Sequence, residues 1–370
     1  MPDIEEQNLV KGRLVSVDAL RGFTMLWIIG GGPLFSSFAK VWKNPVTQTL
    51  REQMQHAGWE GFNLMDLVFP LFLFIVGVVL PFSISQRMER GQGRAQIYLH
   101  ITKRTVVLIL LGFVYLGLLR FDWPNMRWSS VYGRIGICYF CASLLLMYTR
   151  WWTQAAVAGA ILIVYWAAMM FIPVPGFGAG ALTPEGCLAS YLDQLIIPGK
   201  LGRGLYDAQG VLSTFTALST TLIGVLTGHW LRSKRPDKVK TAGMIGAGIV
   251  SLIAGYIWGR FFLISRLIWT SSLVLFAAGW SLLLLALFYW VIDVKGYKRW
   301  AFFLVVIGTN ALAIWFGQRF IDFNKIAEYF VAGAAKHAGV YEPIILAFSV
   351  LMVKWLVLWF LYRRRIFFKV

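Results

Sequence analysis

Long apolar runs, separated by short polar, basic or Gly/Pro-containing segments, recur along the whole chain. Runs long enough to cross about 30 Å of hydrocarbon fall at 19–39, 62–84, 105–120, 133–148, 154–172, 212–231, 241–259, 270–292, 300–317 and 343–362. In lipid every backbone N–H and C=O must be satisfied within the segment itself, so each run is read as a helix. The pattern therefore predicts an all-α, polytopic integral membrane helix bundle. It has about ten transmembrane helices and forms a single transmembrane domain over residues 1–370. Residues 1–13 are polar and the first apolar run continues too far for a signal core, so no cleavable signal peptide is expected.

Composition agrees. The chain is 58% hydrophobic and only 14% charged, with 28 Phe and 17 Trp, more apolar surface than a soluble interior of this size can hide. The formal charge of +18 has an explanation other than nucleic acid. With the N-terminus inside, cytoplasmic segments carry 20 Lys and Arg and the opposite segments 13, the latter offset by nine acids. The bias obeys the positive-inside rule and predicts both termini in the cytoplasm, with no nucleic-acid partner.

Polar residues inside the runs are few. Asp66 begins the second run, where an ionisable group is expensive and requires a partner. His56 could supply one if Gly58 and Gly61 fold the chain back. An interfacial histidine beside an acid that caps a broken helix is the plainer alternative. Asp18 and Arg21 can pair at i,i+3, or Arg21 can bind phosphate at the cytoplasmic entrance. Arg87, Arg90, Arg94, Lys103 and Arg104 form a basic cluster suited to anionic lipid or to a phosphorylated cofactor. Arg134 opens the fourth run. Asn310 sits mid-run, lining a cavity or bridging helices. Cys138 and Cys141 form a C-x-x-C without His or acidic neighbours, read as packing; no metal site is expected. Gly224-x-x-x-Gly228 and the glycines of 243–259 are suited to close helix contacts and permit a homodimer. Long loops at 173–211 and 318–342 lie on the outer face with segment 40–61.

Several of these segments resemble a known family. The stretch from Arg13 to Gly22, the segment His56-Ala-Gly-Trp-Glu-Gly followed by Asp66-Leu-Val-Phe-Pro, and Tyr132-Gly-Arg134-Ile-Gly-Ile are similar to the heparan-alpha-glucosaminide N-acetyltransferase family and its bacterial relatives. Gly210-Val-Leu-Ser-Thr-Phe-Thr-Ala, Trp269-Thr-Ser-Ser-Leu-Val-Leu and Gly308-Thr-Asn310-Ala-Leu continue the set in order.

The resemblance implies a multi-pass acyltransferase of the cell inner membrane, moving acetyl from cytosolic acetyl-CoA to the amino group of an outer hexosamine. It makes His56 the catalytic histidine, as general base or acetyl carrier, with Asp66 orienting it. Arg21, Arg104, Arg134 and Asn310 are the expected cofactor contacts, and Trp59 and Glu60 the expected acceptor contacts. The partners implied are a small amino sugar and membrane lipid. Two positions depart from lysosomal relatives. Residues 28–33 (Ile-Ile-Gly-Gly-Gly-Pro) contain no Asn, and Glu60 stands where those relatives have Asn. Both point away from heparan towards a bacterial cell-wall hexosamine such as glucosamine. A secondary transporter or flippase of a sugar or lipid-linked sugar is the alternative, although paired broken helices, usual in such proteins, are not evident in the sequence.

Overall fold

The computed structural model describes residues 14–368. Arg13, which opens the first matching stretch, and Lys11 and Lys369 of the charge count lie outside the described residues. Nine helices are long and apolar enough to cross a membrane among the described residues. They are α1 (Val15–Val41), α3 (Leu64–Glu89), α4 (Arg94–Leu116), α5 (Val131–Tyr148), α6 (Trp151–Phe171), α8 (Val211–Arg232), α9 (Asp237–Trp258), α10 (Ser271–Val294) and the C-terminal helix α14 (Glu342–Arg363). Shorter helices lie in the loops: α2 (Pro45–Gln53), α7 (Leu188–Ile196) and α13 (Phe323–His337).

The ninth apolar run, 300–317, is two short helices rather than one. α11 (Phe302–Thr309) and α12 (Ala311–Gly317) are separated by Asn310, whose φ of −125° and ψ of 33° leave the helical region. The Asn310 amide satisfies groups at the end of α14, donating to the Ile366 carbonyl at 3.0 Å and accepting from the Phe368 N–H at 3.0 Å. α1 is broken too, by a π-helical turn over Trp27–Gly31. Lys354 donates to the Ile29 carbonyl in that turn at 2.6 Å and to Gln318 at 3.2 Å. Broken spans are tolerated in lipid where protein groups take up the freed backbone. The bundle thus contains the broken helices that the sequence did not reveal.

The expected 105–120 run is displaced. α4 starts at Arg94, so Arg94, Lys103 and Arg104 lie on the helix rather than before it.

α3, α8 and α10 are the most enclosed spans, and α9 and α14 the most peripheral. Glycines set the closest crossings. A methyl on Gly224 would fall 2.1 Å from the Phe74 carbonyl of α3, and one on Gly22 would fall 1.8 Å from the Leu304 carbonyl of α11. The predicted Gly224-x-x-x-Gly228 contact is therefore real, with Gly228 set against Val78 and Pro81.

Contacts between loops join 42–63 to 172–210, 259–270 and 318–341 (Trp59 to Leu182, Gly61 to Ile264, Trp42 to Tyr341) and 117–130 to 172–210 (Arg127 to Asp207), which gathers these loops at one end of the bundle. The stacked rings of Trp315 and Tyr132, centroids 4.7 Å apart, bring the end of α12 to the start of α5. At the other end the Asp293 carboxylate accepts from the Val15 and Ser16 N–H groups, both at 3.2 Å.

Candidate active site

Asp66 stands in the first turn of α3, where the free amides of a helix N-terminus favour an anion. It is fully buried. Its Oδ2 accepts from the Asn63 and Ala57 N–H groups, each at 3.0 Å. Its Oδ1 faces His56 Nδ1 at 2.8 Å and accepts from Arg266 Nε at 2.8 Å. Two amides and a guanidinium on one carboxylate stabilise its ionised form. Opposite such a carboxylate, His56 Nδ1 carries the proton and donates, which leaves Nε2 as the ring's free lone pair. The imidazole is 44% exposed, so that lone pair is reachable while its anchor is sealed.

Further hydrogen bonds within residues 52–64 hold this geometry. Asn63 Nδ2 donates to the Glu52 and Gln55 carbonyls, both at 3.0 Å, and Leu64 N–H donates to Gln53 Oε1 at 2.9 Å. Gly61, at φ 117°, turns the segment into α3 at a backbone angle that side chains resist. Its N–H donates to the Ile264 carbonyl at 2.9 Å, stitching the His56 segment to the loop that carries Arg266. That loop is itself closed by Ser265 N–H to Thr270 Oγ1 at 3.1 Å and Thr270 N–H to the Ser265 carbonyl at 3.2 Å.

Arg266 was not among the residues singled out from sequence. It is the third member of the network, and its partner lies 200 residues away. Burial pushes its guanidinium down from the usual range, Asp66 pulls it back up, and the nearby Arg203 cation pushes it down again.

The other expected site residues divide into two groups. Trp59 follows His56 by three residues, its Nε1 donating to the Leu182 carbonyl at 2.6 Å and its ring meeting Tyr206 edge-on with centroids 5.0 Å apart. Tyr206 is thus a further residue packed on Trp59 that sequence reading passed over. Glu60 is exposed on the same loop. The four expected cofactor contacts lie on separate elements, each with local partners. Arg21 pairs with Asp18 at 3.6 Å. Arg104 lies over the Tyr139 ring at 4.5 Å. Arg134 is buried against Ser213 at 2.5 Å, and Asn310 holds the chain end. Among the described residues no cluster of His, Cys, Asp and Glu could hold a metal. Cys138 and Cys141 are free thiols.

Comparison with known proteins bears on this arrangement. Residues 13–175 match a family described as a domain of unknown function, DUF5009. Heparan-alpha-glucosaminide N-acetyltransferase of Mus musculus is 23% identical over 99% of this chain and 62% of its own length. The Homo sapiens protein of the same name is 24% identical over 97% of this chain and 60% of its own length. The chain is a distant relative of these proteins. It spans about three-fifths of their length. His56 and Asp66 fall inside the family match and Arg266 falls beyond it.

Proposed function

We propose that the chain is a membrane-embedded acyltransferase that passes an acetyl group from acetyl-CoA to the amino group of a hexosamine at His56. The observation that supports this best is the buried Asp66 carboxylate, shared by His56 Nδ1 and Arg266 Nε at 2.8 Å each, with Nε2 left open. In the direct route Nε2 takes a proton from the acceptor ammonium, and the freed amine attacks the thioester carbonyl. The C–S bond then breaks and CoA thiolate leaves, taking up a proton as an N–C bond replaces it. In the covalent route Nε2 attacks the thioester carbonyl, the C–S bond breaks and CoA thiolate leaves with a proton from the acceptor ammonium. The freed amine then takes the acetyl group as the Nε2–C bond breaks, its surplus proton passing to Nε2. In both, the Asp66 carboxylate stabilises the charged imidazole while Arg266 fixes that carboxylate in place.

The reading has both termini in the cytoplasm of a bacterial inner membrane, His56 on the outer face, and donor phosphates docking from inside near Arg21 and Arg104. Trp59 and Tyr206 would offer the sugar an aromatic wall, with Glu60 beside it.

The test uses the purified full chain with acetyl-CoA and glucosamine while released thiol is monitored. Sugar-dependent thiol release is expected, falling by about 10²- to 10⁴-fold in His56→Ala, the range of general-base catalysis. No release with any of several hexosamines would end the proposal. Labelled acetyl retained on wild type and absent from His56→Ala would select the covalent route.

The breaks in α1 and at Asn310 favour a second reading, a secondary transporter or flippase. Uptake of labelled sugar into proteoliposomes without thiol release would select it.

A further inference from the structure

On the flank between α4, α5 and α8 lies a cavity of about 380 Å³, within the roughly 300–1,000 Å³ of small-molecule sites. Its walls are apolar for most of their length, with Ile137, Cys141, Phe215 and Leu218 along the deeper part. Ile137 and Phe215 are 45% and 57% exposed, on helices whose outward faces meet lipid. The mouth therefore opens sideways into the bilayer.

The other end is different. Arg134 lines it in the first turn of α5, beside Ser130 and Gly210. Arg134 is 2% exposed. Its Nη2 donates to Ser213, and its guanidinium lies over the Trp269 ring at 4.9 Å. Nε and Nη1, however, are buried without a hydrogen-bond partner. Unanswered donors on a buried cation are costly. The nearby acids do not answer them. Asp207 is held by Arg127 at 2.5 and 2.6 Å, and Asp193 accepts from the Asp207 and Val211 N–H groups at 3.1 and 2.9 Å. Both act on Arg134 only through space.

A polar end at the start of two spans and an apolar trough running down them make the outline of a lipid. From Arg134 to Cys141 is two turns, about 10 Å at 1.5 Å per residue, well within one leaflet of a core about 30 Å thick. We propose that this crevice is a phospholipid site, with an acyl chain along α5 and α8 and the phosphate held at its polar end by the Arg134 guanidinium, whose Nε and Nη1 lack partners. A soluble ligand would have to cross lipid-facing side chains to enter, whereas a lipid arrives from them. The site would also brace the catalytic floor. Phe69, one turn from Asp66, and Trp269, three residues from Arg266, lie under the same guanidinium at 6.0 and 4.9 Å.

Cys141 in the trough provides the readout, which needs neither acetyl donor nor acceptor and so stands apart from the acyltransferase reading. The delipidated full chain in maltoside detergent is treated with N-ethylmaleimide, and Cys141 alkylation is timed by peptide mass spectrometry. Added dioleoyl phosphatidylglycerol is expected to slow it about tenfold, equal to about 1.4 kcal/mol, and dioleoylglycerol, which lacks phosphate, several times less. Arg134→Gln should bring the two lipids together. Ile137→Trp, which narrows the mouth without touching Arg134, should slow alkylation without lipid and cancel the lipid's effect. No slowing in wild type, equal slowing by both lipids, or an undiminished phosphatidylglycerol effect in Arg134→Gln would overturn the proposal. If Arg134→Gln does not fold, the comparison of the two lipids and Ile137→Trp decide.

Discussion

Arg266 and His56 address the same oxygen of Asp66, so their contributions are coupled. Removing the guanidinium leaves a buried carboxylate with two amides and the imidazole, and breaking a buried pair in this way costs about 3–5 kcal/mol. Arg266→Gln is expected to lower the unfolding temperature in detergent and to reduce kcat more than KM is altered. Because a cation facing the carboxylate is gone, the acidic limb of its rate–pH profile should move to higher pH. Arg266→Lys should restore part of both. An unchanged profile in a folded Arg266→Gln variant would make the residue merely structural. Why His56 and Asp66 were legible and Arg266 was not is a matter of cost and distance. An acid inside an apolar run demands a partner, and a histidine ten residues away with glycines between is an evident one. Arg266 sits in a short connection between two spans and meets Asp66 only through the fold.

Asp193 provides a second test at this scale. Burial raises its carboxyl from 3.8 to about 6, partly offset by the Asp207 and Val211 amides. The folded state therefore holds this proton more tightly than the unfolded one. Its contribution to stability is fullest below about pH 3.8 and is lost as the pH rises through about 6, at most about 3 kcal/mol. Asp193→Asn should remove that dependence. Melting curves from pH 4 to pH 7 should show the variant gaining on wild type as the pH rises. A constant difference would count against the assignment.

Among elements, the long apolar runs were readable because length and hydropathy alone define a span. What escaped was continuity. Nothing in residues 300–317 announces that Asn310 ends one helix and begins another, because its backbone angles depend on the arrival of residues 366–368. Close crossings were half readable. Gly224-x-x-x-Gly228 was visible as spacing, whereas Gly22 and Gly308 meet across two runs that share no motif. A methyl on Gly308 would fall 2.1 Å from the Asp18 carbonyl. Gly308→Ala and Gly22→Ala must therefore part α1 from α11, at about 1–3 kcal/mol each, the range for overpacking. Thermal unfolding in detergent checks this, with Gly246→Ala as a control, since nothing lies within 4 Å of its added methyl. Equal melting temperatures for all three would refute the close crossing.

For the molecule as a whole, the charge asymmetry predicts sidedness. Glu60→Cys, on the exposed His56 loop, should react with an impermeant maleimide added outside intact cells. Ser233→Cys, in the loop after α8, should react only after permeabilisation. The reverse pattern would invert the proposed orientation and with it the direction of acetyl transfer. Both variants belong in a background lacking Cys138, Cys141 and Cys187, the three native thiols.

The two ends of the described chain share one more property. Val15 and Ser16 are secured by Asp293, and Ile366 and Phe368 by Asn310, so the same late stretch fastens both. During synthesis the first span would wait for the eighth to emerge before its start is anchored, and the break at Asn310 would wait for residues 366–368. A ribosome stalled between these two points would leave the start of α1 anchored and the backbone about Asn310 open. Such a nascent chain would be a natural object for quality-control proteases, and the arrival of residues 366–368 would be the event that closes this part of the bundle.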